Sequence, residues 1–163
     1  MIARADRRQV DGLVGLAIFL GATTMLFAGL LLAYAVLRAQ AIAWPPPGTP
    51  PFPTAAAGAV GLLLVGASVA LRAARPGVAL ACGAAFLAGQ IGLWRHLVAA
   101  HLGPGAGPLG GVFFALTGFH ALHVAAGLVV LVAARARRPR LATIYWDFVL
   151  AVWLVIYVAV CLT

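Results

Sequence analysis

Two histidines, His120 and His123, are the side chains best suited to chemistry, and they lie in an almost wholly apolar run, TGFHALHVAAG. A spacing of three puts both imidazoles on roughly one face of a helix. Axial haem ligands come from opposite sides of the haem plane, so these two residues cannot ligate one haem together. His96 could serve as the second ligand, but it is predicted near the end of another helix, away from the depth of His120.

The remaining residues give little support to a metal site or a catalytic site. Transition-metal sites usually combine imidazole ligands with carboxylate or thiolate ligands. Asp147 is the single acid within the apolar blocks, and Cys82 and Cys161 are far apart and form no CxxC pair. The GxSxG, P-loop and HExxH motifs are absent from the sequence. We therefore expect no catalytic residue, no metal ligand and no cofactor ligand in this chain.

The polar residues within the apolar blocks have a structural interpretation. The two histidines would then be neutral and hydrogen-bonded across helices, with Thr117 and Gln90 as partners. Thr23 and Asp147 are the other polar candidates, and we expect Asp147 to pair with the arginines at 137–140 or with a partner subunit. Polar groups inside a membrane are costly and often functional, so each of them needs an explanation.

Five long apolar blocks must position these residues. The chain has 163 residues, of which 64% are hydrophobic and 9% charged, a composition far from that of soluble domains. Each block is close to the ~20 residues that cross a bilayer as a helix. All ten prolines lie between the blocks, where they cannot break a helix. We predict an all-α integral membrane protein, a single membrane domain over 1–163 with five transmembrane helices at about 13–37, 54–73, 78–100, 109–134 and 142–162.

The basic residues indicate the direction of insertion. All eleven are arginines, and nine lie before the first block, between the second and third, or between the fourth and fifth. The positive-inside rule then predicts a cytoplasmic N-terminus and a periplasmic C-terminus. The same clustering explains the net charge of +8 without a nucleic-acid-binding face. A transporter is also disfavoured, since none of the blocks is interrupted in the middle as transporter sites often require.

Several segments resemble, in the right order, the motifs of subunit III of haem–copper oxidases. FFALTGFHALHVAAG (113–127) is similar to the family run FFxLTGFHGLHVxxG, and YWDFVLAVWLVIYV (145–158) is similar to YWHFVDVVWLFLY of the last helix. FLGATTMLFAGLLLAY (19–34) resembles FLASEVMFFAGLFxAY, GLLLVGASVAL (61–71) resembles LLxSSxT, and WPPPG (44–48) falls at the family's Trp-Pro loop. Five spans match the short form of the family, which lacks the first two helices.

This resemblance implies a respiratory role without a redox centre in the chain. Subunit III packs on subunit I, in a complex with subunit II, in the bacterial cytoplasmic membrane. Haem and copper in the partner reduce oxygen to water with proton pumping, and subunit III holds phospholipid between helix groups. The motif residues implied to be structural are Thr117, Gly118, Phe119, His120, His123, Gly127, Tyr145, Trp146, Phe148 and Trp153.

The chain departs from the family at its buried acids. Thr23 and Leu93 stand where the family has glutamate or another acid, Leu150 replaces an aspartate, and Asp147 replaces a histidine. Roles that rest on the buried glutamate therefore do not carry over. Two alternatives remain: an accessory subunit of a nitric oxide reductase, which belongs to the same family, or a small haem-b electron carrier that uses His120 and a second histidine.

Overall fold

The computed structural model describes residues 2–134 and 139–162, and this part of the chain is built from five long helices. They are α1 (Ile2–Gln40), α2 (Thr54–Arg72), α3 (Pro76–Ala99), α4 (Gly107–Ala134) and α5 (Pro139–Ile156), and α5 continues as a short π-helical segment, Tyr157–Leu162. Each of the five is long and apolar enough to cross a membrane. The predicted all-helical, five-span architecture is confirmed. The direction of insertion and the single-domain organisation stay predictions.

The helix ends follow from the positions of proline and glycine. Helix α1 begins well before its apolar block because residues 2–11 contain neither proline nor glycine, the two residues that most disfavour a helix. Pro76, Pro108 and Pro139 lie in the first turns of their helices, where a missing N–H breaks no intrahelical hydrogen bond. Six of the ten prolines fall in the non-helical segment 41–53, which joins α1 to α2.

Helix α4, which carries His120 and His123, packs against three of the other four long helices. Helices α2 and α3 form a close hairpin, α2 packs on α5, α3 packs on α4, and α4 packs on α5. Helix α1 lies against α4 and α5 and is the least buried of the five spans. The two histidines of α4 therefore lie where this helix meets its neighbours.

Aromatic side chains fill the centre of the bundle, and glycines make room for them. Trp146, Trp153 and Phe86 are almost completely buried. Gly61 lies directly against the indole of Trp153, and a Cβ on Gly83 would lie 2.5 Å from the ring of Trp146. In lipid, close packing of this kind holds helices together, because lipid tails are as apolar as the side chains.

Candidate functional site

His120 is enclosed by aromatic rings at the centre of the bundle. Its side chain is 1% exposed. The centroid of the imidazole lies 5.4 Å from that of Trp153, 5.6 Å from Phe86 and 6.4 Å from Phe27. Among the described residues, neither ring nitrogen has a hydrogen-bond partner. The prediction that His120 is hydrogen-bonded to a residue on another helix is therefore wrong, because aromatic rings pack around its imidazole.

His123, one turn further along α4, is held by polar contacts. Its Nδ1 lies 2.7 Å from the carbonyl oxygen of Phe119, and since a carbonyl only accepts, Nδ1 must carry the proton. In a neutral ring Nε2 is then an acceptor, and the Thr23 hydroxyl of α1 lies 3.4 Å from it. The hydroxyl of Tyr145 on α5 donates to the backbone oxygen of His123 at 2.6 Å. The sequence named Thr23 as a polar candidate without identifying it as the partner of His123.

Thr117 and Gln90 do not bond to the histidines, contrary to prediction. The Thr117 hydroxyl donates to the carbonyl oxygen of Phe113 at 2.8 Å and accepts from Nε1 of Trp94 at 3.0 Å. Gln90 is 1% exposed, and its amide has no hydrogen-bond partner within the described chain. Trp94 was not predicted as a partner of Thr117, although it follows Leu93 directly in the run QIGLW. Its indole N–H is a donor that usually finds an acceptor when a tryptophan is buried.

The two glycines of the α4 motif have different surroundings. A Cβ on Gly127 would lie 2.7 Å from Cε1 of Tyr145 and 3.4 Å from the indole of Trp146. A Cβ on Gly118 would meet nothing within 4 Å. Close packing of α5 on α4 therefore requires glycine at 127 and not at 118.

The aromatic motif residues differ in burial. Trp146 and Trp153 are 1% and 3% exposed, Tyr145 is 8% exposed, and Phe148 is half-buried. Phe119 is 40% exposed on the outside of the bundle. The interior members of the motif thus support packing between α4 and α5, whereas Phe119 faces the surroundings of the protein.

Asp147 pairs with Arg72 and not with the arginines predicted from the sequence. Its carboxylate lies 2.7 Å from the guanidinium of Arg72, and the two side chains are 35% and 61% exposed. The expected partners were the arginines at 137–140, of which 137 and 138 lie outside the described residues and Arg140 is exposed. The pairing follows from tertiary structure, because α2 packs on α5 and ends at Arg72 beside Asp147.

Among the described residues, His96 of α3 lies too far along its helix to share an iron with His120. Phe86 of α3 lies beside His120, whereas His96 is ten residues further along α3, about 15 Å at 1.5 Å per residue. His96 is also exposed. In the part of the chain that the structure describes, histidine, cysteine and acidic residues form no group of three or more that could hold a metal ion.

A groove of about 520 Å³ opens between one end of α1 and the end of α5. Its walls are mostly apolar, and Arg38 supplies the cationic side chain. The lining residues are Leu31, Tyr34, Ala35, Arg38, Ala39, Val155 and Ala159. The arrangement suits a long apolar group that ends in a polar or anionic head.

Comparison with known proteins identifies the family of the chain. No family model matches it. Cytochrome c oxidase subunit 3 of Synechocystis sp. is 31% identical over 90% of this chain and 73% of its own length. The protein of the same name from Thermostichus vulcanus is 30% identical over 88% of this chain and 83% of its own length. Cytochrome bo(3) ubiquinol oxidase subunit 3 of Pseudomonas aeruginosa is 31% identical over 52% of this chain and 46% of its own length. With its five apolar helices and the motifs on α1, α4 and α5, the chain belongs to the subunit III family of haem–copper oxidases.

Proposed function

We propose that this chain is the non-catalytic subunit III of a respiratory haem–copper terminal oxidase and supports the reduction of oxygen to water coupled to proton pumping. The observation that carries the proposal is the 31% identity, over 90% of the chain, to a cytochrome c oxidase subunit 3. In this proposal haem and copper reside in the partner subunits. The electron donor is cytochrome c or a quinol, since relatives of both kinds of oxidase resemble the chain.

The polar contacts of α4 support a structural role. Thr23 of α1 and Tyr145 of α5 both approach His123, and Trp94 of α3 donates to Thr117. Hydrogen bonds between membrane helices contribute about 0.6 kcal/mol each on average. The polar residues of the α4 motif thus join this helix to three neighbours. A helix joined in this way suits a scaffold that presents a fixed surface to a larger complex.

The partners and location follow from the same proposal. The chain is a multi-pass membrane protein, and we place it in the bacterial cytoplasmic membrane with its N-terminus in the cytoplasm. Subunit I, together with subunit II, would cover part of the apolar surface of the bundle, and membrane lipids would cover the rest.

The groove between α1 and α5 is where we expect phospholipid to bind. Its apolar walls suit an acyl chain, and Arg38 lies at the end of the α1 span, where a lipid phosphate would lie. Replacing Arg38 by glutamine should lower the amount of phospholipid that purifies with the chain. Arg95→Gln is the matched control, because Arg95 is an exposed arginine that does not line the groove. Equal phospholipid content in the two variants would remove the groove from the proposal.

Affinity purification from the native membrane tests the function. The tagged chain is extracted in mild detergent, the co-purifying proteins are identified by mass spectrometry, and a reduced-minus-oxidised spectrum is recorded. We expect a haem–copper subunit I in the eluate, with haem absorbance in proportion to it. An untagged strain, treated identically, is the control.

The identity of the partner separates the alternatives. A nitric oxide reductase catalytic subunit in place of an oxidase would assign the chain to that enzyme. A chain that purifies alone with its own haem absorbance would refute the proposal and make His120 a ligand candidate again.

A further inference from the structure

Helices α3 and α4 each contribute one buried polar side chain that has no hydrogen-bond partner among the described residues. Gln90 and His120 are each 1% exposed. The amide oxygen and nitrogen of Gln90 and both ring nitrogens of His120 have no hydrogen-bond partner among the described residues. Buried polar groups in proteins are paired in the large majority of cases, because an unpaired group loses its hydration without compensation. Six buried side-chain atoms of the described residues lack a partner, and four of them belong to these two side chains, which makes the interface between α3 and α4 the strongest candidate for a bound ligand.

The contacts on either side of Gln90 place it at the level of His120 along the two helices. Phe86, one turn before Gln90 on α3, lies 5.6 Å from His120 between ring centroids. Trp94, one turn after Gln90, donates to Thr117 of α4 at 3.0 Å. Helices α3 and α4 therefore run in opposite directions, and Gln90 lies level with the turn of α4 between Thr117 and His120.

We propose that this interface binds an internal water that bridges Gln90 and His120. A neutral imidazole has one donor and one acceptor, and a glutamine amide has two donors and an acceptor oxygen. A buried water typically makes about three hydrogen bonds to polar groups that would otherwise be unsatisfied, so one water can serve both side chains. A transition metal fits less well, because an imidazole and an amide supply neither the carboxylate nor the thiolate that such a site favours.

Replacement of Gln90 by leucine should change the midpoint of thermal unfolding in opposite directions in two cases: a bridged pair, in which a water joins Gln90 and His120, and a dry interface, which contains no water. In a bridged pair Gln90→Leu leaves the water and His120 short of a partner, and the midpoint of thermal unfolding should fall by about 2–4 °C. In a dry interface the same change removes an unpaired buried amide, and the midpoint should rise. Gln40→Leu is the matched control, because Gln40 is exposed at the end of α1. A raised midpoint for Gln90→Leu would overturn the proposal.

A double-mutant cycle and a spectroscopic measurement complete the test. The midpoints of thermal unfolding are compared for full-length Gln90→Leu, His120→Phe and the double variant. If a water bridges the two residues, the double variant should change the midpoint by less than the sum of the two single changes. Solid-state NMR of the histidine-labelled chain in lipid bilayers should show magnetisation transfer from water to the His120 ring, weakened in Gln90→Leu. The His120 signal is assigned by its loss in His120→Phe. Additive changes in the midpoint would refute the water bridge. The absence of magnetisation transfer from water to the His120 ring would also refute it.

Discussion

Replacement of Gly127 by alanine tests whether α5 packs on α4 as tightly as the structure indicates. The added Cβ would lie 2.7 Å from Cε1 of Tyr145 and 3.4 Å from the indole of Trp146. Neither ring can move away freely. The Tyr145 hydroxyl is committed to the backbone oxygen of His123 at 2.6 Å, and Trp146 is 1% exposed. We therefore expect Gly127→Ala to destabilise the bundle.

Gly118→Ala is the matched control, because it lies on the same helix and its Cβ would meet nothing within 4 Å. Alanine is favoured over glycine in a helix by about 1 kcal/mol, and this gain applies to both variants and cancels between them. Overpacking a tight contact costs about 1–3 kcal/mol, which is the expected difference between the two variants.

The assay is thermal unfolding of the two full-length variants in one detergent, followed by circular dichroism. We expect Gly118→Ala to match or exceed the wild-type midpoint and Gly127→Ala to fall below it by a few degrees. Equal midpoints for the two variants would refute the packing of Gly127 against Tyr145.

Three further predictions concern polar contacts and topology. Arg72→Gln and Asp147→Asn should each lower the free energy of unfolding by under about 1 kcal/mol, since the ion pair is largely exposed. The double variant Arg72→Asp/Asp147→Arg should have a higher midpoint of thermal unfolding than either single reversal. If the effects of the two reversals simply added, the ion pair would be contradicted. Thr23→Val should lower the free energy of unfolding by up to about 0.6 kcal/mol through loss of the contact with His123. Thr24→Val is the control, because Thr24 is exposed and its hydroxyl donates to the oxygen of Leu20 in its own helix. Equal midpoints of thermal unfolding for the two variants would argue against the contact between Thr23 and His123. A C-terminal alkaline phosphatase fusion should be active and a C-terminal green fluorescent protein fusion dark, as expected for a periplasmic C-terminus; the opposite result would reverse the orientation.

The number and limits of the spans could be predicted from sequence because they depend on local properties. Block length sets whether a helix can cross the bilayer, and proline marks where helices stop, so neither requires knowledge of tertiary contacts. The start of α1 differs, since the helix continues through the polar residues 2–11. Hydrophobicity indicates where a helix enters the membrane, whereas helix propensity determines where the helix begins.

The partners of the polar residues could not be predicted, because they depend on how each helix is rotated and how far it is shifted along its neighbour. Thr117 and Gln90 were the predicted partners of the histidines. In the structure Trp94 binds Thr117, and aromatic rings surround His120. Asp147 likewise pairs with Arg72, 75 positions earlier in the chain. Sequence spacing predicted the shared face of α4 and could not predict which helix that face would meet.

Three neutral residues that the resemblance to subunit III aligns with acids have different surroundings. Thr23 lies beside His123, Leu93 packs with Ala57, and Leu150 packs on the core that contains Trp146. A buried carboxylate would need a cation or several donors to offset its lost hydration. The neutral Thr23–His123 contact joins α1 to α4 without that requirement. The acid at Asp147 lies instead near the end of its span, where it and Arg72 are 35% and 61% exposed. The chain can thus keep the contact between α1 and α4 without a titrating carboxylate, and we expect it to support the oxidase through packing.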